Sequence, residues 1–282
     1  MRAKAKHIHK GLAKYKHIEM HLADNCNLDC ASCSHFSSIV DKEDGKWRAD
    51  VEQTERDFKR MSELFYEHTS GSHIWLMGGE PLLHPQVSEF FRIARENFPG
   101  KDRHVWLLTN GILLLSQKDE FWHAAKKYDI KIKMSHYPPV KTVEKIKAVC
   151  AKWGIPFKLK LKPDFREQLL NLDGPYDMQK NYDICGLSSC VNLRHGKMYT
   201  CCMLPHIHFF NKKFNKDLPN TGPALDPGGG IDLYADGLTD VELANKLDTP
   251  VDLCKFCVAD PKKSAWKRTK GEIAEWVVNS TE

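Results

Sequence analysis

Ten cysteines in a chain of 282 residues fall into groups whose spacing suits metal chemistry. Cys26, Cys30 and Cys33 form C-x3-C-x2-C. Cys185, Cys190, Cys201 and Cys202 make a second group, Cys254 and Cys257 make the pair CKFC, and Cys150 stands alone. A structural zinc takes four protein ligands, and so does a plain ferredoxin-type cluster. Three close thiols therefore imply a distant fourth ligand or a metal position that the protein leaves open. His35 offers one completion, as a zinc site. The other reading places three thiolates on three corners of a 4Fe-4S cube, with the fourth iron free for a substrate or cofactor.

The chain around these thiols has the composition of a folded protein, 41% hydrophobic and 28% charged. The basic start, MRAKAKHIHKGLAKYKH, lacks the apolar stretch and small-residue cleavage site of a signal peptide, so a cytoplasmic location is expected. In a reducing compartment cysteines hold metal or do chemistry more often than they form disulfides. Apolar runs such as WLLTNGILLL are interrupted and too short to cross a bilayer, and no membrane partner is expected. The run Lys262, Lys263, Lys267, Arg268 and Lys270 matches no known nucleic-acid motif and reads as a solvated helix face. A formal charge of +5 is compatible with a phosphorylated or otherwise acidic small-molecule substrate.

Apolar periodicity supplies the elements that must position the thiols. Strands are expected at 17–24, 73–79, 103–111, 130–137 and 156–162. Helices are expected at 50–68, 86–98, 118–129 and 142–154, the last stopped by Gly154. Strands alternating with helices imply parallel pairing, in an open sheet or in a complete or partial barrel, and hence an α/β class. The three-cysteine loop directly follows the first strand, and ligands of parallel α/β folds bind at the carboxyl ends of strands. Beyond about residue 165 the pattern changes. Residues 190–202 read as a β-hairpin turning at His195-Gly196, 218–230 as a Pro/Gly-rich loop, and 237–249 as a helix capped by Thr239 with Glu242 three residues on.

The second expected strand ends in MGGEPLLHP, and with the cysteine loop this carries a family resemblance. The chain resembles the radical S-adenosylmethionine (radical SAM) enzymes. There C-x3-C-x2-C binds the cluster, whose open iron chelates SAM, and reductive cleavage gives a 5′-deoxyadenosyl radical that abstracts a substrate hydrogen. Gly78, Gly79, Glu80 and Pro81 match the GGEP segment, which in that family lies against the methionine amino group of SAM. LLTNG at 107–111, with Asn110, resembles the loop that closes above the cofactor. Ser135 and His136 fall where relatives contact the ribose or methionine carboxylate. Ser32 stands where an aromatic residue commonly precedes the third cysteine. The resemblance implies a partial (β/α)6 barrel over roughly 17–165 and a flavodoxin- or ferredoxin-type electron donor.

For the later cysteines a zinc ribbon remains one reading. The other is a resemblance: C-x10-G-x4-C from Cys185 through Gly196 to Cys201, followed by CKFC, is similar to the twitch module, the short form of the SPASM extension. This implies an auxiliary 4Fe-4S cluster on Cys185, Cys201, Cys254 and Cys257. The expected organisation is a radical SAM core at 1–165 and a twitch/SPASM-like domain at 166–282. Cys190 and Cys202 are surplus, as replacement ligands, core residues or hydrogen donors, and Cys150 reads as core.

Twitch-containing relatives include dehydrogenases of carbinol carbons in aminocyclitols, which makes an oxidoreductase acting on a sugar, cyclitol or related polyol the first expectation. His35, His136 and Arg194 are candidates for touching substrate. Peptide modification, or epimerisation with Cys190 or Cys202 as hydrogen donor, is the alternative. With about 25 residues before Cys26, no leader-binding domain is expected there, which lowers the peptide reading without removing it. A zinc-binding or electron-transfer protein without catalysis is the third reading.

Overall fold

The computed structural model describes residues 17–41, 47–66, 73–188, 190–227 and 229–278. The basic segment 1–16 and the last expected turn of the first helix, 67–68, lie outside them. Five strands alternate with four helices: β1 (His17–Ala23), α1 (Val51–Phe65), β2 (His73–Gly78), α2 (Val87–Asn97), β3 (His104–Thr109), α3 (Asp119–Lys127), β4 (Ile130–His136), α4 (Val143–Trp153) and β5 (Phe157–Leu161). The five pair in parallel in the order β5-β4-β3-β2-β1. Local signals set the boundaries. Asp50 caps α1 by accepting from the Gln53 amide at 2.7 Å, and left-handed Gly154 (φ 70°) ends α4 as expected.

The remaining elements are β6 (Asp164–Arg166), α5 (Met178–Ile184), β7 (Val191–Arg194), β8 (Lys197–Tyr199), α6 (Ile207–Phe214), β9 (Ile231–Asp232), α7 (Asp240–Leu247) and β10 (Lys263–Ala265). The hairpin β7–β8 turns at His195 and Gly196, both at positive φ, and Thr239 caps α7 through the Glu242 amide. One expectation fails. The Lys262–Lys270 run is not a helix, because its start is extended as β10, antiparallel to β6, with backbone hydrogen bonds taken across strands. The main sheet also crosses residue 165. β7 lies parallel to β1 on its free side (Ile18↔Val191), followed by β8 and β9. The result is an α/β partial barrel with an unclosed, mostly parallel sheet.

Strand alternation separates two faces. Ile18, Met20, Ile74, Leu76, Val105, Leu107, Ile132 and Met134 bury against Phe58, Phe91, Phe121 and Ile146 of the helices. The intervening His17, Glu19, Trp75, Met77, Leu108, Lys133 and Ser135 line a cavity on the other face. A second core forms around Leu170, Leu204, Phe210, Leu253 and Trp276 and takes in Phe36 from the cysteine loop.

Candidate metal centres and active site

Cys26, Cys30 and Cys33 follow β1 and line one cavity of about 620 Å³ together with Gly78, Gly79, Asn110 and Ser135. The glycines have a local reason. A Cβ at Gly78 would lie 2.1 Å from the Ala23 carbonyl oxygen, and one at Gly79 would lie 2.2 Å from that of Asn25. The close approach lets the Gly79 amide donate to Ala23 O (2.7 Å) and the Glu80 amide to Asn25 O (2.9 Å), stitching the cysteine loop to β2. Asn110 extends the stitching by donating from Nδ2 to Asn27 Oδ1 (2.7 Å), with Cys26 Sγ at 3.6 Å.

Glu80, Pro81 and His136 sit behind this lining. Glu80 is fully buried, and its carboxyl accepts from Leu82 N (3.1 Å), Thr109 Oγ1 (2.7 Å) and Asn110 N (2.8 Å). Burial pushes its pKa up to about 7 against those three bonds. Pro81 opens the short turn Pro81–Leu83, and the His136 ring is 2.8 Å from Val140 O. His35 does line the cavity, 4.0 Å from Glu19. Arg194 does not: its guanidinium grips both carboxylate oxygens of Asp24 and approaches His206 Nε2 at 3.3 Å.

The cysteine loop is clamped by the far end of the chain. Trp266 Nε1 donates to Cys30 Sγ (3.0 Å), Trp276 Nε1 to Cys33 O (3.1 Å), Ala31 N to Lys267 O (3.0 Å), and Ser32 Oγ to Glu275 O. Burial raises the Cys26 thiol to about 12 and raises Cys30 as well. Burial also opposes ionisation of Cys33, but the hydrogen bond with His35 more than offsets it and draws that thiol below its ordinary value. Bare thiolates at this depth are costly, a cost that a cationic metal relieves.

Cys185 at the end of α5, Cys201 after β8, and Cys254 and Cys257 around the turn Asp252–Lys255 line a separate small pocket. Buried Asn181 of α5 spans that turn, its Nδ2 donating to Cys254 O (2.6 Å) and Cys257 O (2.5 Å). Cys190 and Cys202 turn away from this pocket. They hydrogen-bond each other and line the large cavity. Cys150 is core, buried in α4.

Donor spacing tests which metal fits. Among the described residues, trios with all donor atoms within 4.8 Å are His17–Glu19–Cys190, Glu19–His35–Cys202 and His21–Asp24–His206. The three-cysteine set and the later quartet are not among these trios. Tetrahedral zinc, with Zn–S near 2.3 Å, needs sulfurs roughly 3.8 Å apart. An all-sulfur donor set fits a polynuclear cluster, and a four-cysteine set fits a single structural zinc as well.

Sequence reasoning missed the tryptophan clamp and several cavity residues: His17, Glu19, Lys133, Lys160, Lys162 and Arg166. Alternation along the strands was the available signal for the first three.

The sequence model of the Radical SAM superfamily matches residues 20–148. No curated protein matches the chain. Among solved structures, BtrN in complex with AdoMet and 2-DOIA superposes with a TM-score of 0.50 at 16% identity, over 86% of this chain and 93% of that one, a likeness of fold. anSMEcpe with bound AdoMet gives 0.39 at 21% identity over 51% of this chain, and Streptococcus suis SuiB bound to S-adenosylmethionine gives 0.30 at 13% over 52%. The matched parts span only 41% and 40% of those two longer chains. Among the described residues no helix is long and apolar enough to cross a membrane.

Proposed function

We propose that the chain, whose residues 20–148 match the model of the Radical SAM superfamily, is an oxidoreductase acting on a carbinol of a sugar, cyclitol or related polyol. That match implies a 4Fe-4S cluster and SAM. In this reading Cys26, Cys30 and Cys33 hold that cluster, and Cys185, Cys201, Cys254 and Cys257 hold an auxiliary one. Residues 1–165 act as the radical SAM core and 166–282 as the twitch/SPASM-like module. When bound, the cofactors supply a 5′-deoxyadenosyl radical for hydrogen abstraction and an acceptor for the electron left behind.

The chain's residues bind, orient and exclude water. Gly78, Gly79, Asn110 and Ser135, which line the cavity at the strand ends, would border SAM, while Glu80, Pro81 and His136 fix the loops that carry them. The carboxy-terminal clamp closes the cysteine loop from outside. One observation carries the reading: a three-thiol loop opens on the large cavity, and a four-thiol pocket adjoins it across Arg166, Leu169 and Leu187. Three ligands leave an iron open, and four leave none.

Epimerisation or peptide modification with a cysteine hydrogen donor is the second reading, favoured by the Cys190–Cys202 pair on the cavity wall. The test is anaerobic reconstitution with iron and sulfide, then reduction, chemically or by a flavodoxin- or ferredoxin-type donor, with SAM and a panel of polyols. About eight irons per chain are expected, with 5′-deoxyadenosine and ketone in equal amounts. Solvent deuterium in a product of unchanged oxidation level moves the assignment to epimerisation. A reduced, zinc-filled protein that leaves SAM intact ends both readings in favour of a non-catalytic metal protein.

A further inference from the structure

We propose that the polyol is anionic, carrying a phosphoryl or carboxylate group, and that Lys133, Lys160, Lys162 and Arg166 hold that group in the cavity. The inference rests on the cavity being the substrate site, as proposed above.

The sheet register builds the cationic wall. Lys160 of β5 pairs with Ser135 of β4, and Lys158 pairs with Lys133, so lysines stack along the cavity face of two neighbouring strands. Lys162 follows, its amide donating to His136 O at 3.0 Å. Across the cavity mouth, Arg166 of β6 lies directly opposite Lys263 of β10. Like charges opposed in a ladder are destabilising unless something neutralises them. Lys133, Lys160, Lys162, Arg166 and Lys263 line the same cavity as the three cysteines. Its lining carboxylates are Glu19 and Asp164, and Glu19 is already engaged by His17 (3.2 Å) and Asn192 (2.8 Å).

Edge protection accounts for part of this charge, since β5 is a free edge of the sheet and lysines there deter strand pairing. It does not account for Lys133, which is half-buried on an interior strand, or for Lys162, which lies beyond the strand. Burial, then Lys160, Arg166 and Lys133, press the Lys162 ammonium down to about 8, against an opposing pull from Cys190. Burial, then Lys160 and Lys158, lower Lys133 also, with Glu19 pulling the other way. A like-charge group at half-buried positions is stabilised by a bound anion. SAM does not fill that need: it has a single carboxylate against an ammonium and a sulfonium. The same wall disfavours an aminocyclitol, whose ammonium groups it would repel.

The test uses the full chain with both clusters reconstituted and SAM bound, titrated anaerobically by calorimetry with inorganic phosphate in one arm and acetate in the other. Saturable binding of at least one anion is expected, weakening as salt rises, and the stronger arm identifies phosphoryl or carboxylate as the natural group. Lys160→Met/Lys162→Met should weaken that binding at least tenfold. Lys160→Arg/Lys162→Arg should retain it, and Lys147→Met, at an exposed helix position, should leave it unchanged. Circular dichroism of the Met variant confirms that the loss is not unfolding. No saturable binding of either anion, or binding indifferent to the Met variant, overturns the proposal. Turnover is read separately. If the anion binds but no polyol phosphate or uronate is oxidised, the carbinol reading fails alone. If a neutral polyol is oxidised with no dependence on these lysines, the anion inference fails alone.

Discussion

Cys26, Cys30 and Cys33 sit on one short loop held in shape by distant pieces of chain, whereas Cys185, Cys201, Cys254 and Cys257 come from scattered positions held by the elements between them. The loop takes its support from Gly79, Asn110, Trp266 and Trp276. The quartet takes its support from α5, whose Asn181 bridges the CKFC turn. Both sets depend on contacts distant in sequence: the local loop is closed from 243 residues away by Trp276, and the dispersed quartet is bridged by Asn181 across 73 and 76 residues. The local set also faces the large cavity, and in the proposed reading its three thiols would leave a metal corner to be filled by something other than protein.

The largest expected effect separates the two sets by function. Cys30→Ala should reduce 5′-deoxyadenosine formation below detection. Cys254→Ala should keep SAM cleavage while losing the oxidised product. Chromatography of 5′-deoxyadenosine beside product in both variants checks this, and equal loss of SAM cleavage in the two would erase the functional difference.

Next in size is Trp276→Ala. The side chain is fully buried, and its indole reaches Cys33 O across 243 residues of sequence. Truncation should cost about 3–5 kcal/mol, read from the shift in a denaturant midpoint. A cost below 1 kcal/mol would show that the loop holds itself.

Glu80→Gln tests the stitching between β2 and β3. The native carboxyl keeps its proton to about pH 7, whereas the unfolded one releases it near its ordinary 4.5. The native state therefore binds more protons between these values, and stability falls as pH rises through that window, on the order of 3 kcal/mol in total. Glu80→Gln should flatten this fall in unfolding curves taken from pH 4.5 to 7. A wild-type curve that rises across the window would contradict the buried environment.

The smallest effect belongs to Trp266→Phe, which deletes the N–H donated to Cys30 Sγ and keeps the ring. Loss of one hydrogen bond is worth roughly 0.5–1.5 kcal/mol. It should lower the reduction potential of the first cluster in a redox titration and leave the auxiliary one unmoved, since hydrogen bonds to sulfur tune potential.

What the sequence made legible follows the same division. The alternation of strands and helices, the Gly154 stop, the His195-Gly196 turn and the Thr239 cap were readable, because each depends on neighbours a few residues away. The cysteine loop and GGEP were readable as motifs, but the physical work of the glycines was not. They make room for the chain's own loop at Ala23 and Asn25, a contact between β1 and β2 that no local pattern encodes. The clamp from Trp266 and Trp276 was illegible for the same reason. The lysines of β4 and β5 looked like ordinary polar alternation until the parallel register set them side by side. The Lys262–Lys270 run was misread as a helix face, since its extended start is set by β6, nearly a hundred residues earlier.

The central claim, one open metal corner in the first set and none in the second, is tested most directly by electron paramagnetic resonance of two reduced variants. Cys254→Ala/Cys257→Ala should isolate the first cluster, and its spectrum should change when SAM is added. Cys26→Ala/Cys30→Ala/Cys33→Ala should isolate the auxiliary cluster, and its spectrum should be indifferent to SAM. A SAM-dependent change in the second variant, or none in the first, would contradict the account.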